Sequence, residues 1–179
     1  MLRLFEGTSF NQDISNWDVS NVFNMWGMFR FNTSFNQDLS NWDVSSAEQM
    51  SEMFNGASSF NQDISGWNVS TATVMSKMFF NASSFNQDIS GWDVSSVTDF
   101  TTMFDNADAL SDENKCAIYT SFEQQTSNFP YDWSDTCPMF IATDIATNAD
   151  GALDVYAADM DGDGDMDIVS ASKDDDTIA

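Results

Sequence analysis

Five aspartates spaced two apart, Asp159, Asp161, Asp163, Asp165 and Asp167, with Gly162 and Gly164 between them, are the residues of this chain best suited to chemistry. Hard carboxylate oxygens on a tight, glycine-bearing loop are what Ca2+ requires, and five such charges repel one another strongly without a cation. An EF-hand would want an acidic residue at the twelfth position from Asp159, and Ser170 stands there. A solvated acidic loop without metal is the alternative. Catalysis is harder to find. The chain has no histidine, which removes Ser-His-Asp and Cys-His catalysis and imidazole metal sites. Carboxylates abound, but no uneven pair stands out from the repeated ones and no cleft is implied, so a carboxylate-pair glycosidase is disfavoured.

The elements that must position these residues are set by a repeat. SerPheAsnGlnAsp, then Ile or Leu, then Ser, starts at Ser9, Ser34, Ser59 and Ser84, an unvarying step of 25 residues without insertion or deletion. A fixed step of this length is the signature of a stacked array. Within each copy Trp17/42/67/92 and Val19/44/69/94 alternate with polar residues, which predicts a short strand with both turned inward. The apolar steps Val22, Met25, Met28 and Phe29, and their equivalents, predict a short helix, with Ser20, Ser45, Ser70 and Ser95 as its N-caps and Glu48 completing a capping box with Ser45. Stacking coils at strand spacing lets each column of Trp, Phe and Met close over the one before. An outward carbohydrate platform of Trp rings, or a metal site of Met, is the weaker reading, because both columns fall on the inward phase.

Four polar columns remain. Asn11/36/61/86 and Gln12/37/62/87 suit a ladder that satisfies backbone groups beside a tight return. Asp13/38/63/88 stacks like charges and needs backbone N–H groups or cations to neutralise it. Asp18, Asp43, Asn68 and Asp93, between inward Trp and Val, face solvent and form the candidate ligand-facing strip.

Charge narrows the partners. The 179 residues hold 29 Asp and Glu against 5 Lys and Arg, a net −24, a field that repels phosphate backbones and attracts cations. Nucleic acid and membrane insertion are excluded on this reading, since no apolar run approaches the ~18 residues of a membrane span. Cys116 and Cys137 are the only cysteines. They read as one disulfide closing a cap in an oxidising compartment, or as two unrelated buried thiols. A helix-like run from Asp112 to about Gln125, then the aromatic PheProTyrAspTrpSerAspThrCysPro, would form that cap. Leu4 and Ser9 are in step with Phe29 and Ser34, so Met1 falls inside a repeat and the chain reads as a fragment cut at both ends.

The unit PheAsnGlnAspIleSer-x-TrpAspValSer-x-Val-x-x-Met-x-x-MetPhe resembles the 25-residue repeats of BspA-like leucine-rich-repeat surface proteins, over residues 1 to about 108. Val or Ala stands where classical leucine-rich repeats carry Asn or Cys, so their buried Asn ladder is not implied. The Asp loop resembles the nine-residue calcium loops of FG-GAP or VCBS repeats. That resemblance implies side-chain ligands Asp159, Asp161, Asp163 and Asp167, with the Asp165 carbonyl, between paired strands at ValTyrAla and IleValSer.

Together these imply an α/β fold, a right-handed leucine-rich-repeat-like solenoid with a short strand and a short helix per coil, a C-terminal helical cap and a partial β-propeller-type hairpin. The divisions fall at 1–110 for the solenoid, 111–137 for the cap, 138–150 for a linker and 151–179 for the truncated calcium hairpin. The implied function is non-catalytic: a monomeric, extracellular or cell-surface bacterial module that adheres to a protein or glycan on a cell or matrix surface and binds Ca2+. A structural stalk with binding carried elsewhere is the alternative.

Overall fold

The structure, a computed structural model, describes residues 1–137 and, by backbone alone, strands at 152–158 and 167–172. The chain divides into two units, Met1–Pro138 and Met139–Ala179. The α/β expectation fails for the first unit. Residues 1–110 contain neither a regular strand nor a helix; they are coils of overlapping turns, stacked at the 25-residue step. The apolar pattern misleads because bonds from residue i to i−3 return side chains to one face much as a helix does.

The segment 22–32 and its equivalents replace the predicted helix. In the second such segment Met53 N–H donates to Met50 O, Asn55 to Glu52 O and Ala57 to Phe54 O, at 3.3, 3.1 and 3.0 Å. The intervening N–H groups leave the coil: Met50, Glu52, Phe54 and Gly56 donate to Val74, Ser76, Met78 and Phe80 of the next one, at 2.7–3.0 Å. Every second peptide therefore points along the stack. That alternation needs residues in the left-handed region, at Gly27, Glu52, Lys77 and Thr102 and again at Phe31, Gly56, Asn81 and Asn106. An α-helix tolerates no such residues at four-residue intervals. Isolated parallel bridges join Asn24, Gln49, Val74 and Asp99 in sequence. Ser45 is not a helix cap; its Oγ donates to Asp43 at 2.6 Å, and Glu48 donates its N–H to Phe23 O.

The opposite side, 9–20 and its equivalents, replaces the predicted strand. Trp42 N–H turns back to Leu39 O and Ala47 N–H to Val44 O, so the segment is closed by turns and forms no backbone ladder. Here side chains do the stacking. The indole Nε1 of Trp42, Trp67 and Trp92 donates to the carbonyl of Ile14, Leu39 and Ile64 in the preceding coil, at 3.0, 2.9 and 3.1 Å. The core between the two sides holds the expected columns: Ile14, Leu39, Ile64 and Ile89, Trp42, Trp67 and Trp92, Val19, Val44, Val69 and Val94, Met25, Met50 and Met75 with Phe100, Met28 and its equivalents, Phe29 and its equivalents, and Phe35, Phe60 and Phe85 are buried, whereas Trp17 at the open end is exposed. Phe29, Phe54, Phe79 and Phe104 stack at centroid steps of 5.6–5.7 Å.

The start of the chain shows a one-residue offset. Arg3, Phe5 and Gly7 donate to Trp26, Met28 and Arg30, and Phe5 stacks on Phe10 at 3.8 Å as Phe29 does on Phe35. Phe5, not Leu4, therefore fills the Phe29 slot, and Leu4 is exposed.

Helix α1, Asp112–Gln125, closes the other end. Ser111 caps it by accepting the Asn114 N–H, and Ile118 and Phe122 are its buried residues. Cys116 and Cys137 are joined by a disulfide, which ties α1 to the short 3-10 turn Ser134–Thr136. Among the described residues no helix is long and apolar enough to cross a membrane. In the second unit β1, Ala152–Ala158, pairs antiparallel with β2, Asp167–Ser172, with Ala158 opposite Asp167 and Tyr156 opposite Val169. A single pair of strands does not make a propeller blade, so that part of the expectation is corrected too. The linker expected at 138–150 lies outside the described residues.

Candidate functional site

The expected ligand strip lies on the side that side chains hold together. Asp18, Asp43, Asn68 and Asp93 are all exposed, and each turns one oxygen back on its own coil. Oδ1 accepts the N–H of the Ser two residues on at 3.0–3.2 Å and its Oγ–H at 2.6–2.8 Å. These bonds hold the Asp18, Asp43 and Asp93 carboxyls below the usual range; Asp18 pushes its neighbour Asp43 the other way, more weakly. Asp13, Asp38, Asp63 and Asp88 close equivalent turns on Ser15, Ser40, Ser65 and Ser90. Backbone N–H groups thus meet the carboxylates.

Beside the Asp13 column runs an amide ladder. Asn11, Asn36 and Asn61 each accept, on Oδ1, the N–H of the next Asn at 2.8–3.0 Å and the Nε2 of the Gln beside it at 2.7–3.0 Å. The cap continues it: Asn86 Oδ1 accepts Ser111 N–H and Asn114 Nδ2, at 2.9 and 2.8 Å. Gln125 completes the docking, accepting Val94 N–H at 2.8 Å and donating to Trp92 O at 3.0 Å.

The turn-ladder side carries residues that the repeat columns hid. Phe23 aligns with Glu48, Thr73 and Thr98; Trp26 with Ser51, Ser76 and Thr101; Phe31 with Gly56, Asn81 and Asn106. Phe23 is 61% exposed and Phe31 48%. The five exposed large apolar side chains of the described residues, Leu2, Leu4, Trp17, Phe23 and Phe31, all lie before residue 32. Arg3 lies over the Trp26 ring at 4.0 Å and Arg30 over Phe31 at 4.5 Å. Glu6 joins the two arginines, 3.3 Å from Arg3 Nε and 3.0 Å from Arg30 Nη1. Glu52 Oε2 lies 2.7 Å from Arg30 Nε but off the line of its N–H. Phe31 is seated on Gly56, where a Cβ would come within 2.6 Å of its ring. The signal for this patch was in the sequence, as the positions at which the copies disagree.

Asp159, Asp161, Asp163 and Asp165 lie outside the described residues; Asp167 begins β2. The pairing of Ala158 with Asp167 brings together the two strands that flank the loop. Among the described residues no group of three or more Cys, Asp or Glu is placed to hold a metal ion.

A stack of turn-built coils with a disulfide-tied helical cap defines a repeat protein. The family model described as "Mycoplasma protein of unknown function, DUF285" matches residues 1–132, and the chain belongs to that family. No curated protein and no solved structure matches the chain.

Proposed function

We propose that the chain is a non-catalytic, extracellular binding module, bacterial in character, that adheres to a protein or glycan surface through the turn-ladder side. The observation that carries this is the gathering of exposed Phe23 and Phe31, with Trp26 under Arg3, at positions where the other coils carry small or polar residues. Clustered apolar surface of this kind marks interaction sites. The ion pairs that rim it contribute little energy and set orientation. On a chain of net −24, three of the five basic residues, Arg3, Arg30 and Lys77, stand on this side. The test is binding of the full chain to glycan arrays, matrix proteins and cells, beside Phe23→Ser/Phe31→Ser and Asp18→Asn/Asp43→Asn/Asp93→Asn. Loss in the Phe variant alone is expected. Binding that follows the Asp variant would move the site to the acidic strip, and no binding by the parent chain would favour the stalk.

Calcium belongs to this reading at the second unit, with Asp159, Asp161, Asp163 and Asp167 as side-chain ligands and Asp165 contributing its carbonyl. The antiparallel pairing of the flanking strands supports it, because a loop closed at its base can gather oxygen ligands. Isothermal titration should show Ca2+ uptake that Asp161→Ala abolishes; absence of uptake by the parent chain would refute the site.

A further inference from the structure

The cap contains a cavity that the proposed binding surface does not use. With a volume of about 470 Å3, it opens beside α1, lined among others by Tyr119, Glu123, Phe129, Pro130, Tyr131 and Asp132. Its volume falls in the range of small-ligand pockets. Two carboxylates stand in its wall, and its lining includes no basic side chain. Glu123, one helical turn beyond Tyr119, and Asp132, on the following loop, line the cavity together with Tyr119. Desolvation, then the nearby Glu123 and Asp132 carboxylates, push that phenol upward. Thr126, Ser127 and Pro130 complete the lining beside two aromatic side chains, Phe129 and Tyr131, that are held in place. The Tyr131 hydroxyl donates to Asp105 at 2.7 Å and accepts the Phe104 N–H at 2.9 Å. Phe129 packs edge-on against Phe100 and Phe122, at 5.6 and 5.3 Å.

We infer that this cavity binds an alkylammonium group, the head of a lysine side chain or of a free diamine, between Glu123 and Asp132, with its methylene stem on Phe129 and Tyr131. An ammonium has three donors and no acceptor, which matches two carboxylates and a phenol oxygen. Aromatic faces attract cations as well as apolar stems. An anion would meet two carboxylates, and a neutral apolar ligand would gain nothing from them.

The experiment is an NMR titration of the full chain with Nα-acetyl-lysine methylamide, with the norleucine analogue as the uncharged control and cadaverine as the free diamine. Saturable shifts confined to the segment around 119–132 are expected with the two cations and not with norleucine. Preference for the lysine derivative assigns the site to a partner's side chain, and preference for cadaverine to a free amine. Glu123→Gln and Asp132→Asn, both at exposed positions, should each weaken binding about tenfold, as expected for loss of a charge-assisted bond. Asn at 132 can still accept from Ser134, which donates to Asp132 through its N–H and Oγ at 3.2 and 2.7 Å; unchanged circular dichroism would confirm that the variants fold. The inference is overturned if norleucine binds equally. It is overturned too if no saturable shift occurs, or if shifts spread over the acidic surface and survive both substitutions, as diffuse attraction to a −24 chain would give.

Discussion

The two long sides of the stack are joined by different chemistry, and the difference explains which residues repeat. On the turn-ladder side backbone joins coil to coil: four N–H groups of each ladder segment donate to carbonyls of the next. Any residue supplies such groups, so the outward side chains are free, and Phe23, Glu48, Thr73 and Thr98 share one position. On the opposite side the joints are an indole N–H, an Asn oxygen and a Gln amide. Only those side chains make those bonds, and PheAsnGlnAsp recurs unchanged in all four copies. Invariance marks structure here, and variation marks the surface open to recognition.

The largest effect expected from this comparison is on the side-chain-joined side. Trp67 is buried, stacks on Trp92 at 6.4 Å and bonds Leu39 O. Trp67→Ala should cost about 3–5 kcal/mol in urea unfolding, the usual range for a large buried aromatic. Trp67→Phe keeps most of the volume and strands the Leu39 carbonyl, so it isolates the hydrogen bond. If Phe is fully tolerated, the indole joints are dispensable and the contrast between sides loses its energetic basis.

A smaller effect tests the two sides directly. Asn61→Ala removes the acceptor for both Asn86 N–H and Gln87 Nε2, at a cost of about 1 kcal/mol because water reaches these groups. Lys77→Glu, on the ladder side, installs the residue that the previous coil already carries in the same left-handed conformation. It should stay within about 0.5 kcal/mol of the parent. Equal losses from the two substitutions, measured by thermal unfolding, would break the comparison.

How far the sequence could be read follows from the same distinction. Burial was legible, because the inward phase of Trp and Val and the spacing of Met and Phe depend on side-chain chemistry alone. Secondary structure was not. Spacing such as Met50, Met53 and Phe54 fits a helix as well as successive i to i−3 turns, and Glu52 and Lys77 give no hint that their φ is positive. The Phe5 offset was hidden because the match at Ser9 set the register, while the missing residue lies between Phe5 and Ser9. The aromatic patch was hidden for the opposite reason: Phe23 and Phe31 stand where the copies differ. The cap cavity is formed by residues from α1 and from the loop after it, and no spacing in a single segment announces it.

The smallest effect concerns the acidic columns, and its sign separates two accounts of them. The Asp18, Asp43 and Asp93 carboxyls titrate below their ordinary value of 3.8 because the Ser hydroxyls and N–H groups two residues on favour the charged form. A group depressed on folding contributes its stability above the unfolded-state value and loses it as pH falls through the folded-state value. The native chain holds its own control in Asn68, which closes the same turn on Ser70 with a neutral oxygen, at 3.2 Å to N–H and 2.8 Å to Oγ. Asp18→Asn/Asp43→Asn/Asp93→Asn should therefore be slightly less stable than the parent near neutral pH, with a gap that closes as the pH falls below about 4. Relief of self-repulsion on acidification acts on both chains, so the difference between their curves is the quantity to measure. Parallel curves would mean that the turn needs only an acceptor oxygen of the right shape, and that charge on this side serves a purpose other than stability.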